Sequence, residues 1–124
     1  MKGFAARWGP PLLWAAAVFA FSSRPTLPQL PSVLGWDKLQ HSAAYAVGGV
    51  LIARALGRGG RAALLAAVLG SLYGASDEVH QLFVRNRSSD PVDWMADTLG
   101  VLAGVGLWHL WLHHSERRAH RAAS

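Results

Sequence analysis

Apolar positions along this chain fall into four blocks separated by short polar, proline-rich or glycine-rich breaks. The first runs from about Trp8 to Phe21 (WGPPLLWAAAVFAF), the second from about Asp37 to Leu56, the third from Ala62 to roughly Gln81, and the fourth from Asp93 to His113. A helix that crosses a bilayer needs about 20 residues at about 1.5 Å rise each. The strictly apolar cores of the first three blocks are shorter than that. They reach the required length only if their polar ends are also helical and shielded within the bundle or the headgroup region. The pattern predicts an all-α fold, a small integral-membrane bundle of four transmembrane helices at about 8–22, 37–56, 62–81 and 93–113, followed by a basic tail at 114–124.

The breaks support those boundaries. Three prolines lie between Ser22 and Gly35 (SSRPTLPQLPSVLG) and end the first span, and Gly57 to Arg61 (GRGGR) forms a tight turn between the second and third. Pro10 and Pro11 suit the first turn of a helix, where a missing N–H costs little. Gly70-x-x-x-Gly74 and Gly100-x-x-x-Gly104 each put small residues on one helix face, so Gly-rich helix packing with close backbone approach is expected.

Composition changes the picture in one direction. The chain has 124 residues, room for one domain over 1–124, and is 52% apolar but only 15% charged. A soluble domain usually carries about a quarter charged residues, so the deficit makes lipid part of the solvent. The absence of cysteine excludes disulfides, thiolate nucleophiles and thiolate metal sites. The net charge of +5 does not indicate a nucleic-acid partner, because the basic residues form short clusters between apolar blocks rather than a stripe on one element.

Charge also orients the chain. Lys2, Arg7, Arg54, Arg58, Arg61, Arg117, Arg118 and Arg121 fall on one side of the four-span scheme, with Glu116 the one acid there. Arg24, Lys38, Arg85 and Arg87 fall on the other, together with Asp37, Asp77, Glu78, Asp90, Asp93 and Asp97. The positive-inside rule then puts both termini in the cytoplasm. Trp8, Trp108 and Trp111 would mark the inner interface, Trp36 and Trp94 the outer one. A rival reading treats residues 1–23 as a signal peptide, with basic residues, a short apolar stretch and small residues near its end. Four spans with alternating charged loops account for more of the sequence.

The stretch from Tyr73 to Gly100 gathers five of the seven acids. Asp37, His41 and Tyr45 are four apart and share one face at the outer end of the second span. Tyr73, Asp77, His80 and Gln81 do the same on the third, with Glu78 beside them. Asp93 and Asp97 share a face with Gly100 on the fourth. Three helices are therefore expected to bring polar faces to one depth. The blander reading is structural: acids are welcome at helix N-termini, and Arg85 or Arg87 would neutralise Asp90 or Asp93. His109, His113, His114 and His120 fit an interface and tail role.

These residues also carry a resemblance. Asp37-Lys38-x-x-His41-x-x-Ala44-Tyr45, Tyr73-Gly74-x-x-Asp77-Glu78-x-His80-Gln81-x-Phe83-Val84, and Arg87 with Asp93, Asp97, Gly100 and Gly104 resemble the VanZ-like family of small multi-pass bacterial membrane proteins. The likeness runs from about Trp36 to Gly104. Arg85-Asn86 stands where the family often has Pro-Gly before the arginine. The resemblance implies a cell-envelope setting and a link to low-level resistance to the glycopeptide teicoplanin, but no established reaction.

Three functions follow as expectations. In the first, the site binds a zwitterionic or anionic lipid headgroup, with a lipid-linked cell-wall precursor as the candidate given the resemblance. Arg87, Lys38, Tyr45, Gln81, Asp93 and Asp97 would contact it, since phosphate suits arginine's fork. In the second, the protein is a hydrolase or transferase acting on such a headgroup. Glu78 would be the base, with His41 and Asp77 in the catalytic group, and Asp37, His41, Glu78 and His80 offer ligands for zinc or another divalent ion. No HExxH, nucleophile elbow or phosphate-binding glycine loop is present to support it. In the third, the bundle only assists another envelope protein. Membrane lipids are partners in each case, and homo-oligomerisation is compatible with all three.

Overall fold

A computed structural model describes residues 3–24, 36–85 and 89–124, with Trp36 and Asp37 as backbone only. The described chain is helical: α1 (Phe4–Ser22), α2 (Trp36–Leu56), α3 (Gly60–Gln81) and α4 (Pro91–Ala123). Two of the four, α3 and α4, are long and apolar enough to cross a membrane.

Two helices depart from the expected bounds. Pro10 and Pro11 lie inside α1, not in its first turn, because the helix begins at Phe4. A proline within a helix leaves the carbonyl four residues earlier without its usual donor. For Pro10 that carbonyl is Ala6 O, and the Arg54 guanidinium donates to it at 3.4 Å. The same turn is tied down by Arg7, whose Nη2 and Nε donate to Ala55 O at 2.7 and 3.1 Å. The second departure is the tail. Residues 114–123 continue α4 without a break, as expected for a run of Ala, Arg, Glu and His that lacks Gly and Pro.

The α2–α3 turn uses left-handed backbone at Gly57 (φ 102°) and Gly59 (φ 97°), where only glycine is at ease. At the start of α4, Asp90 Oδ1 accepts the Val92 N–H at 2.9 Å, and Pro91 follows where no N–H is needed.

Glycine decides how the helices meet. A Cβ on Gly100 would lie 2.1 Å from Ser42 O, and one on Gly104 would lie 2.0 Å from Ala46 O. From the other side, a Cβ on Gly49 would lie 2.4 Å from Val101 O. No side chain fits at these crossings, so α2 and α4 run parallel with backbones in near contact. The antiparallel α3 receives the Val101 side chain at Gly70 and meets Asp97 at Gly74. The peripheral α1 packs on α2 and α3. Its Trp14 fills the notch at Gly48 and donates Nε1–H to Ala44 O at 2.9 Å. Tyr45, Ile52, Ala53, Ala66, Val101 and Val105 form the core.

Outside, Leu64, Val68 and Leu72 on α3 and Leu99, Leu102 and Leu110 on α4 are exposed. In water such a coat would be a liability; in lipid it is ordinary solvent contact. The element order puts the starts of α2 and α4 and the ends of α1 and α3 at one end of the bundle. The α2–α3 turn, the start of α1 and the end of α4 lie at the other.

Candidate functional site

The shared end of α2, α3 and α4 holds the polar cluster. On α2, Lys38 reaches across to α4, donating to Asp90 Oδ2 at 3.0 Å and also pairing with Asp93. One turn deeper, His41 Nδ1 lies 2.9 Å from Asp97 Oδ1. Asp97 is fully buried, and its partner imidazole keeps a quarter of its side-chain surface. With Asp97 ionised, Nδ1–H donates to the carboxylate and Nε2 is the nitrogen left for another partner. The glycines explain the fit. Gly100 lets α4 touch α2 one turn below Asp97, and Gly74 brings α3 against the Asp97 side chain.

From the end of α3, Asp77, Glu78 and Gln81 are all buried. Glu78 Oε2 accepts the Asp90 N–H at 3.1 Å. Asp90 thereby joins three elements: its backbone binds α3, one carboxylate oxygen caps α4, and the other meets Lys38 of α2. Asp90, expected from the sequence as an acid beside Arg85 or Arg87, is thus also a helix cap and a partner of Lys38. The signal for its capping role was present in the Asp-Pro pair that opens the helix. The signal for Lys38 as its cation was not, since the contact spans 52 positions.

Five buried side-chain polar atoms have no hydrogen-bond partner among the described residues: Glu78 Oε1, Asp97 Oδ2 and the Tyr45 hydroxyl on the helices of this cluster, and Trp108 Nε1 and His109 Nε2 farther along α4. Leaving such a group unpaired costs roughly 1–3 kcal/mol, more if it is charged. His41, Glu78 and Asp97, one each from α2, α3 and α4, also offer metal-ligand atoms that all lie within 4.8 Å of one another.

The other expected site residues are placed as follows. Asp77 lies within electrostatic reach of the Tyr45 and Tyr73 phenols. His80 faces α1, stacked on Phe19 at 4.5 Å and 2.9 Å from Ser23 Oγ. It does not join the His41, Glu78 and Asp97 group. Of the four expected metal ligands, then, His41 and Glu78 converge, with Asp97 as the third member. The Asp37 side chain and all of Arg87 lie outside the described residues. Arg85 is exposed just past the end of α3.

Chemically, the inner part of this cluster is rich in acceptors. It suits an ammonium, a hydroxyl or a metal cation. Anion binding would fall to basic groups nearer the rim, of which Lys38 already holds two carboxylates.

No curated protein and no solved structure matches the chain. A family model described as VanZ/LLP1 matches residues 11–112, a stretch that reaches into all four helices and contains every residue of the polar end. With most of its length under that one match, the chain belongs to the VanZ/LLP1 family.

Proposed function

We propose that this chain is a multi-pass envelope protein of the bacterial inner membrane that binds a lipid headgroup at its outward polar end. All four helices would span, with both termini in the cytoplasm and the His41, Glu78 and Asp97 cluster at the outer boundary. Family membership and two helices of spanning length and composition support a membrane setting. The single observation that carries the binding function is that buried Glu78 Oε1, Asp97 Oδ2 and the Tyr45 hydroxyl have no hydrogen-bond partner among the described residues. The donor that meets them would be an ammonium or hydroxyl group of a phospholipid or a lipid-linked cell-wall precursor. Arg87, Lys38 and Gln81 would face the phosphate, with Asp93 holding Lys38 in place.

Lipid retained by the purified protein tests this reading. Native mass spectrometry of the wild type should show a bound phospholipid or precursor, and Asp97→Asn and Arg87→Ala should each retain about ten-fold less, the worth of one charge-assisted hydrogen bond. Equal retention by all three proteins overturns it. A role in teicoplanin resistance is tested by expressing the wild type and Asp97→Asn in a susceptible host.

One observation favours a second reading, turnover of the headgroup. A histidine oriented by a buried carboxylate, with another carboxylate beside it, is an arrangement suited to general acid–base chemistry. Glu78→Gln keeps the shape and removes the base. If headgroup release by the wild type survives in that variant, Glu78 is not the base.

A further inference from the structure

We infer that His41, Glu78 and Asp97 together form a binding site for one divalent transition-metal ion, of the zinc or manganese class. The inference deepens the headgroup reading by supplying that site with a cation, yet the ion would bind whether or not a lipid does.

The donor set is one imidazole and two carboxylates, each from a different helix. Mixed nitrogen and oxygen ligation of this kind suits zinc, manganese or iron, whereas calcium takes six to eight oxygens and magnesium keeps most of its waters. At metal bond lengths of about 2.0–2.2 Å, neighbouring ligand atoms stand roughly 3.3–3.6 Å apart around a tetrahedral ion. The three ligand atoms lie within 4.8 Å of one another and would have to draw closer together to hold an ion.

The proposal does not rest on acid clustering. Glu78 is 5% exposed and Asp97 is 0% exposed, and each keeps one oxygen with no hydrogen-bond partner among the described residues. Two ionised carboxylates this close in a poorly solvated setting repel strongly. A dication relieves the repulsion and uses the two orphaned oxygens at once. The Lys38 ammonium is engaged a turn nearer the rim, with Asp90 and Asp93. His41 would ligate through Nδ1, which lies 2.9 Å from Asp97 Oδ1, so the ion would take the place of the proton between the imidazole and the carboxylate. Three protein donors leave room on the ion for a ligand oxygen, and the buried Tyr45 hydroxyl, which has no hydrogen-bond partner among the described residues, is a candidate to steady it.

The test uses the full chain in detergent, purified without a histidine tag. His113, His114 and His120 are replaced by Ala so that tail imidazoles cannot capture metal. The protein is stripped with a chelator and titrated with Zn²⁺ or Mn²⁺ alone against a chromophoric competitor. Elemental analysis should give about one equivalent of bound ion. His41→Ala and Glu78→Gln should each weaken binding about 100-fold or more, at least the effect of losing a supporting outer-shell group. Metal should raise the melting temperature of the parent protein but not of these variants, a comparison that holds even if their metal-free stabilities differ. No saturable binding by the parent, or an equal loss on His80→Ala, overturns the site. Lipid retention measured with and without chelator separates this inference from the headgroup reading. Lipid held by a protein that never takes up metal sinks the ion alone, and metal bound without any lipid sinks the headgroup alone.

Discussion

The two ends of the bundle treat charge in opposite ways. At the polar end, Asp97 is fully buried against His41, and Glu78 is nearly so. At the other end, Arg58 pairs with Glu116 while both side chains stay more than half exposed. Arg61, Arg117, Arg118 and Arg121 are exposed there too. Exposed basic residues keep their hydration and need no partner. Buried groups have given up water and must find compensation inside the protein. The polar end finds it for most atoms but not for all, and the exceptions converge on one point. A charge cluster that is buried and incompletely satisfied is the stronger candidate for function, even though the basic end carries the larger net charge.

Substitutions at the two ends sharpen that contrast. The largest effect is expected for Asp97→Ala in metal-free protein, which strips His41 of its buried partner. Breaking a buried pair in this way typically costs about 3–5 kcal/mol, read as loss of thermal stability in detergent. Gly100→Val comes next. Its side chain would collide with the Ser42 carbonyl and pry α2 from α4 just inside the polar end, at about 1–3 kcal/mol or more. Lys38→Met should cost about 1–3 kcal/mol by leaving the Asp90 and Asp93 carboxylates short of a cation. The smallest effect belongs to the opposite end. A double-mutant cycle on Arg58→Ala and Glu116→Ala should return about 0–1 kcal/mol and shrink further in high salt. A coupling there as large as that between His41 and Asp97 would erase the distinction between the ends.

Much of this arrangement was legible from spacing. The four-residue intervals from His41 to Tyr45 and from Asp93 to Asp97 placed polar groups on helix faces, and the paired glycines marked where α4 meets its neighbours. His80 shows where the same reasoning ran out. It follows Glu78 by two positions, which is about 200° around a helix, so the two side chains leave α3 in nearly opposite directions. Both could not serve one ion, and His80 turns to Phe19 and Ser23 of α1 instead. The position of Pro10 and Pro11 misled for a different reason. Local propensity places prolines in a first turn, but the preceding turn of α1 is secured by Arg7 and Arg54, contacts that cross 48 positions. The three-way role of Asp90 was hidden for the same reason, since its partners Lys38 and Glu78 come from helices whose meeting no local pattern encodes.

The unbroken course of α4 ties together places that lie far apart. Its 33 residues make a rod of about 50 Å, carrying Asp97 near one tip and Arg121 near the other. Because no joint interrupts it, the azimuth of the tail is slaved to that of the carboxylate. Inserting one alanine after Glu116 would swing everything beyond it by about 100° while leaving the opposite tip untouched. Any partner that grips the tail from a fixed direction would feel that phase change, as a bolt head feels a turn of the shank.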